Sequence, residues 1–222
     1  MGAAIGQSLP VAVGVLLSPM PIVAMVLMLV SERARSNGFA FLVGWFVGIL
    51  VAGGVILLLV GAATPSDEGP PEWISVVKLV LGVLVLLLAV RQLRNRPRAG
   101  EEPPTPGWMA AIDSFTPPKA FGLAFLLSAV NPKNLLLIAA GAAAIAGATS
   151  VRADQLVALV VFALVASIGV ATPIVIYLVM GARAAALLDR LKTWMVHNNA
   201  VIVSVLLLVI GAKMIGDGIT GL

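Results

Sequence analysis

The stretch FGLAFLLSAVNPKNLLLIAAGAAAIAGA, residues 121–148, decides the fold. It is apolar for longer than the about 20 residues that cross a bilayer, yet Asn131-Pro132-Lys133-Asn134 interrupts it midway. A charge near the bilayer centre costs about 3 kcal/mol on insertion scales. A proline leaves the carbonyl of the preceding turn without its helical donor. Irregular backbone at that depth is tolerated where protein or a water-filled cavity encloses it. The segment therefore reads as a span broken at a binding site or pathway.

Outward from it, the chain continues in the same character. Hydrophobic residues make up 60% and charged residues 11% of the 222, with a mean hydropathy of +1.10, against roughly 45–50% and about 25% in soluble domains. Further apolar windows run over 5–30, 38–63, 79–90 with a wet end from Trp73, 156–181, and 200–219 apart from Lys213 and Asp217. With 121–145 this predicts six transmembrane helices in an all-α polytopic membrane protein. The spans occupy most of the chain and leave no room for a soluble catalytic domain, so an enzyme is not expected. Zero cysteines and the single His197 exclude disulfides, thiolate metal sites and histidine clusters; neither metal nor cofactor is expected. The first apolar segment lacks a basic leader and exceeds a signal peptide's apolar core, which makes it a mature span. The pI near 10 reflects basic residues that flank spans, an orientation signal rather than a nucleic-acid footprint.

One set of loops holds Arg33, Arg35, Arg91, Arg94, Arg96, Arg98, Lys119, Arg183, Arg190 and Lys192. The other holds Arg152 with Asp67, Glu68, Glu72 and Asp154, and Lys78 just inside the third span. The positive-inside rule makes the first set cytoplasmic and both termini external. The longest connection, 91–119, is rich in proline and charge and reads as an extended cytoplasmic linker between halves 1–90 and 120–222. The halves repeat weakly. Ser18-Pro19-Met20-Pro21 interrupts the first span as Asn131-Pro132 interrupts the fourth, and Gly82 with Arg91 nine residues on matches Ser204 with Lys213. Three helices per half is an odd number, so the second half inserts upside down: two inverted three-helix repeats, the organisation of secondary transporters.

Pro19 and Pro21 remove two backbone donors within three residues and should break the first span. A half-helix starting after such a break points its positive dipole end at the midplane. Two such ends, with Lys133, would make an anion-attracting centre; the alternative is that the prolines only bend helices for packing. Acids near the spans are few: Asp113 before the fourth, Asp154 before the fifth and Asp217 late in the sixth. Lys213 and Asp217 are four apart and can pair as a snorkelling terminal couple or hold an ion. Thr172-Pro173 is a weaker break, because the hydroxyl can serve a freed carbonyl. Gly44-xxx-Gly48 fits a close helix crossing. Residues 181–199, with Leu187, Leu188, Leu191, Trp194 and Met195 on one face, form a candidate interfacial helix or a lead-in to the sixth span. His197 reads as a wetted interface residue. No carboxylate or histidine lies deep in a span, which leaves proton coupling through Asp113 or Asp217 poorly supported.

Ser18-Pro19-Met20-Pro21-Ile22 leading to Ser31-Glu32-Arg33-Ala34-Arg35-Ser36-Asn37-Gly38, then Gly44-Trp45, Lys78-Leu79-Val80-Leu81-Gly82, Asp113-Ser114-Phe115-Thr116-Pro117 and Asn131-Pro132-Lys133-Asn134 resemble the GAP family. That family includes the actinobacterial peptidoglycolipid-addressing and sulfolipid-addressing (Sap) proteins and belongs to the lysine-exporter (LysE) superfamily. The similarity runs over essentially the whole chain, although the Asn-Pro-Lys element alone marks only the superfamily. The resemblance implies a six-helix inner-membrane transporter of two inverted repeats that moves glycolipids or lipid-linked precursors toward the cell surface. It makes Pro19, Pro21, Asn131, Pro132, Lys133 and Asn134 the substrate-binding candidates; the residues themselves add Asp113, Thr172, Lys213 and Asp217 as secondary ones. Two other readings stand beside the lipid exporter: an exporter of amino acids or other small polar or ionic solutes, and a scaffold that docks lipid-export machinery through its basic loops. Homo-oligomerisation is compatible with each.

Overall fold

The computed structural model describes residues 1–62, 72–94 and 111–220. The acidic loop residues Asp67 and Glu68, and Arg96 and Arg98 of the linker, lie outside the described residues. Among the described residues the chain is helical, in eight α-helices: α1 (Gly2–Leu16), α2 (Pro19–Val30), α3 (Ala34–Ala62), α4 (Glu72–Arg94), α5 (Pro117–Ala129), α6 (Pro132–Ala148), α7 (Arg152–Met180) and α8 (Ala184–Ile219). Arg91 and Arg94 form the last turn of α4, and Lys119 lies in the first turn of α5, so helix reaches into both ends of the predicted linker. Four helices, α3, α4, α7 and α8, are each long and apolar enough to cross a membrane. The pairs α1–α2 and α5–α6 reach that length only together, bent by 54° and 61°, which makes up to six spans if each bent pair is one.

The bends sit at the prolines that mark them in the sequence. A residue before proline is pushed out of the helical region toward extended backbone. Ser18 before Pro19 has ψ 109°, Asn131 before Pro132 has ψ 121° and Thr116 before Pro117 has ψ 161°. Each proline then occupies the first turn of the following helix, where its missing N–H costs nothing. Pro173 behaves differently and stays inside α7, with the Thr172 hydroxyl donating to the Ile168 carbonyl at 2.7 Å.

Glycines set how closely the helices cross. A Cβ on Gly44 would lie 2.4 Å from the Phe121 carbonyl oxygen, and one on Gly48 2.0 Å from Ser128 Oγ. Gly44-xxx-Gly48 is thus the face on which α3 meets α5, as small residues serve in membrane bundles. Helices α4 and α8 pair through Gly82, Gly211 and Gly218: a Cβ on Gly82 would lie 3.1 Å from the Gly211 carbonyl oxygen, and one on Gly218 2.6 Å from Leu79. Helix α1 lies against α6 and α7, and α2 against α3, α7 and α8. Met25, Met28, Phe41, Trp45, Leu137, Ile138 and Phe162 are fully buried between them.

Residues 181–199 do not form a helix of their own. Apart from the turn Gly181–Arg183 they are the start of α8, which runs unbroken for 36 residues. No glycine or proline occurs from Ala184 to Ile210 to stop it. The expected apolar face is split as well. Leu188 and Met195 are buried, Met195 against Ile22 and Val23 of α2, whereas Leu187 and Trp194 point outward. The lead-in reading holds, and its inner stripe is devoted to α2.

Candidate functional site

The two breaks meet. Lys133, in the first turn of α6, extends its ammonium to Ser18 Oγ at 2.8 Å. That hydroxyl donates its own proton to Asn134 Oδ1 at 2.9 Å, and Asn134 Nδ2 donates to the Leu127 carbonyl at 2.7 Å. A continuous hydrogen-bonded line therefore joins the end of α5, the start of α6 and the joint between α1 and α2. Ser18 and Asn134 are each 1% exposed, so both sit where an unmade hydrogen bond is costly.

Local backbone accounts for the rest of the arrangement. At the second break the Val130 and Asn131 N–H groups both donate to the Leu126 carbonyl, at 3.0 Å each. The next carbonyl, Leu127, would have received the Asn131 N–H in a continuous helix; it takes the Asn134 side chain instead. Asn131 caps α6, with its Oδ1 accepting from the Lys133 N–H at 3.1 Å. At the first break a Cβ on Gly169 would lie 2.1 Å from the Leu16 carbonyl oxygen: only a glycine on α7 lets the end of α1 come this close. Pro19 and Pro21, both buried, form the first turn of α2.

Lys133 has no acidic partner among the described residues. Asp154 holds the Met1 amine at 2.6 Å and Asp217 holds Lys213, while the Asp113 backbone lies in the turn Ile112–Ser114 before α5 and its side chain lies outside the described residues. Of the three ammonium protons one is given to Ser18; among the described residues no other side chain or carbonyl takes the remaining two. Two positive helix starts, α2 and α6, adjoin this ammonium, and together they favour an anion.

Of the secondary candidates, neither Thr172 nor the Lys213–Asp217 pair joins this group. Thr172 is on the outer face of α7, and Lys213 pairs with Asp217 one turn along α8, both partly exposed. Ser18 is the residue that sequence reasoning passed over as a partner of Lys133. Its signal was its place immediately before Pro19, matching Asn131 before Pro132. Trp45 was also passed over: it is 0% exposed, and its indole N–H has no hydrogen-bond partner among the described residues.

A family model described as Sap, sulfolipid-1-addressing protein, matches residues 9–220. No curated protein and no solved structure matches the chain.

Proposed function

The chain belongs to the Sap family, and from that membership we propose that it exports a glycolipid, or a lipid-linked precursor, with an acidic headgroup across the membrane that it spans. The headgroup passes the Lys133 ammonium and the α2 and α6 starts while the acyl chains remain between helices in the bilayer. The carrying observation is that this ammonium, placed between two broken helices, is held by a neutral hydroxyl and by no carboxylate among the described residues. A charge in that position is expensive unless it serves a ligand. Ser18 positions it, and Asn131, Asn134, Pro19, Pro21 and Pro132 shape the surrounding backbone. The mostly apolar interior suits an amphiphile better than a wholly polar solute.

In this reading each bent pair is one span, and the six spans form two inverted repeats of a protein of the LysE superfamily. The packing supports it: α3 lies on α5 as α7 lies on α1, and α4 lies on α6 as α8 lies on α2. The pairs α3–α7 and α4–α8 would then meet across the pseudo-twofold axis. The membrane is a bacterial inner membrane, with both termini outside. The protein is a transporter rather than an enzyme, and it hands its substrate to export machinery at the cell surface.

The test is reconstitution in liposomes with a fluorescent sulfated glycolipid in one leaflet. Wild-type protein moves it to the other leaflet, Lys133→Gln slows transfer by about tenfold or more, about 1.4 kcal/mol in the barrier, and Lys133→Arg keeps part of the rate. Transport of labelled lysine with no change in glycolipid distribution would make the chain a solute exporter. Normal export in cells by Lys133→Gln, with export abolished by Arg91→Gln plus Arg94→Gln, would make it a scaffold.

A further inference from the structure

A second site lies at the other end of α2. The last turns of α2 and α7 and the first turns of α3 and α8 surround a cavity of about 390 Å³, within the 300–1,000 Å³ typical of pockets for small ligands. Its lining is divided by chemistry. Leu29 and Leu188, at 4% and 1% exposure, form an apolar floor, and Val30 and Leu178, at 64% and 48%, form a wall open to the surroundings of the bundle. Arg35 and Tyr177 supply the polar part. Arg35 is exposed, and it ion-pairs with no carboxylate among the described residues; Glu32, exposed in the turn between α2 and α3, is likewise unpaired. The floor depends on the joint between α7 and α8, where Gly181 lines the cavity with φ +54°, a conformation that a side chain disfavours.

We propose that this cavity binds an acidic lipid of the surrounding leaflet, its headgroup on the Arg35 guanidinium and the Tyr177 ring edge and one acyl chain on Leu29, Val30, Leu178 and Leu188. Charge and shape both select this occupant. The cavity is at the end of the bundle that carries Arg33, Arg35, Arg183 and Arg190, where arginine and tyrosine are at home at a membrane surface and attract anionic lipid. The exposed apolar wall admits a chain from the side, which a free anion has no use for. The site is distinct from the Lys133 centre: Pro19 to Val30 of α2 separates them by roughly 16 Å. Its role as the place where substrate waits before reaching Lys133 rests on the exporter reading; binding itself does not.

The experiment uses the purified full chain in a neutral detergent with phosphatidylglycerol carrying a diazirine on one acyl chain, and phosphatidylcholine with the same tag. Adducts are mapped by peptide mass spectrometry. Phosphatidylglycerol should label residues 29–30 and 178–188 about fivefold more than phosphatidylcholine, and Arg35→Gln should remove about that factor, the share of one cation at a membrane surface, while Arg35→Lys restores part of it and Lys133→Gln leaves it unchanged. Equal labelling by phosphatidylcholine, or labelling insensitive to Arg35→Gln, overturns the site. Displacement by inorganic phosphate as effectively as by untagged phosphatidylglycerol also overturns it, as a plain anion site. Selective labelling by a protein that fails to move glycolipid removes the exporter reading and leaves this site standing. Intact export with unselective labelling removes this site alone.

Discussion

Ser18→Ala is the sharpest probe of the link between the two breaks. The substitution deletes one oxygen and leaves the volume almost unchanged, so its cost is that of two hydrogen bonds, to the Lys133 ammonium at 2.8 Å and to Asn134 Oδ1 at 2.9 Å. In soluble proteins bonds to charged groups contribute about 1.5–3 kcal/mol, but between membrane helices the measured values average about 0.6 and reach about 1.7 kcal/mol. Taking the membrane range for each bond, Ser18→Ala should destabilise by about 1–3 kcal/mol. The ammonium share is isolated by a double-mutant cycle with Lys133→Met, read as reversible unfolding in mixed detergent micelles followed by circular dichroism. A coupling of about 1.5 kcal/mol is expected, because the donor is charged and poorly solvated. A coupling within the about 0.5 kcal/mol by which independent sites deviate from additivity would refute the contact as an energetic link. The same variant should also slow glycolipid transfer, since the ammonium loses its anchor.

Other substitutions test the surrounding packing. Gly169→Ala places a Cβ 2.1 Å from the Leu16 carbonyl oxygen, so backbone must move by at least 0.9 Å to reach the 3.0 Å that real contacts respect; a loss of about 1–3 kcal/mol is expected, with reduced transfer because Ser18 lies two residues further on. Gly44→Ala, which meets Phe121 backbone at 2.4 Å, should cost more than Gly48→Ala, whose nearest neighbour is the Ser128 hydroxyl, a group that can rotate; thermal unfolding in detergent ranks the two. Lys213→Gln should change stability by no more than about 0.5 kcal/mol, as for a partly exposed helical pair four residues apart, and should leave transfer at the wild-type rate.

How much was readable in advance follows from which interactions are local. Both breaks were legible because proline acts on its own neighbours: Ser18 and Asn131 are extended for the same steric reason, and no tertiary knowledge is needed to place them. Gly44-xxx-Gly48 was legible because spacing and residue size define the crossing face. The choice of Ser18 as the ammonium's partner was not, since that contact joins residues 115 apart in the chain and exists only once the two breaks are packed together. Asn131 was a binding candidate, and its Oδ1 is spent on capping α6. The start of α8 stayed between two readings for a related reason: an amphipathic stripe shows that a helix has an apolar face but not whether lipid or α2 covers it. The cavity around Arg35 was invisible because it is made where two helix joints far apart in sequence, 29–35 and 177–188, come together.

The unbroken course of α8 has a mechanical consequence. Its 36 residues make a rod roughly 54 Å long, and it is clasped tightly near one end, where Gly211 meets Gly82. That clasp would be the fulcrum of any tilt of α8. Leu188 lies roughly 35 Å down the rod, so a tilt of about 10° there swings Leu188 sideways by roughly 6 Å. With no proline or glycine between Ala184 and Ile210 to absorb the strain, a tilt imposed at one end of that stretch would be carried to the other as by a stiff rod.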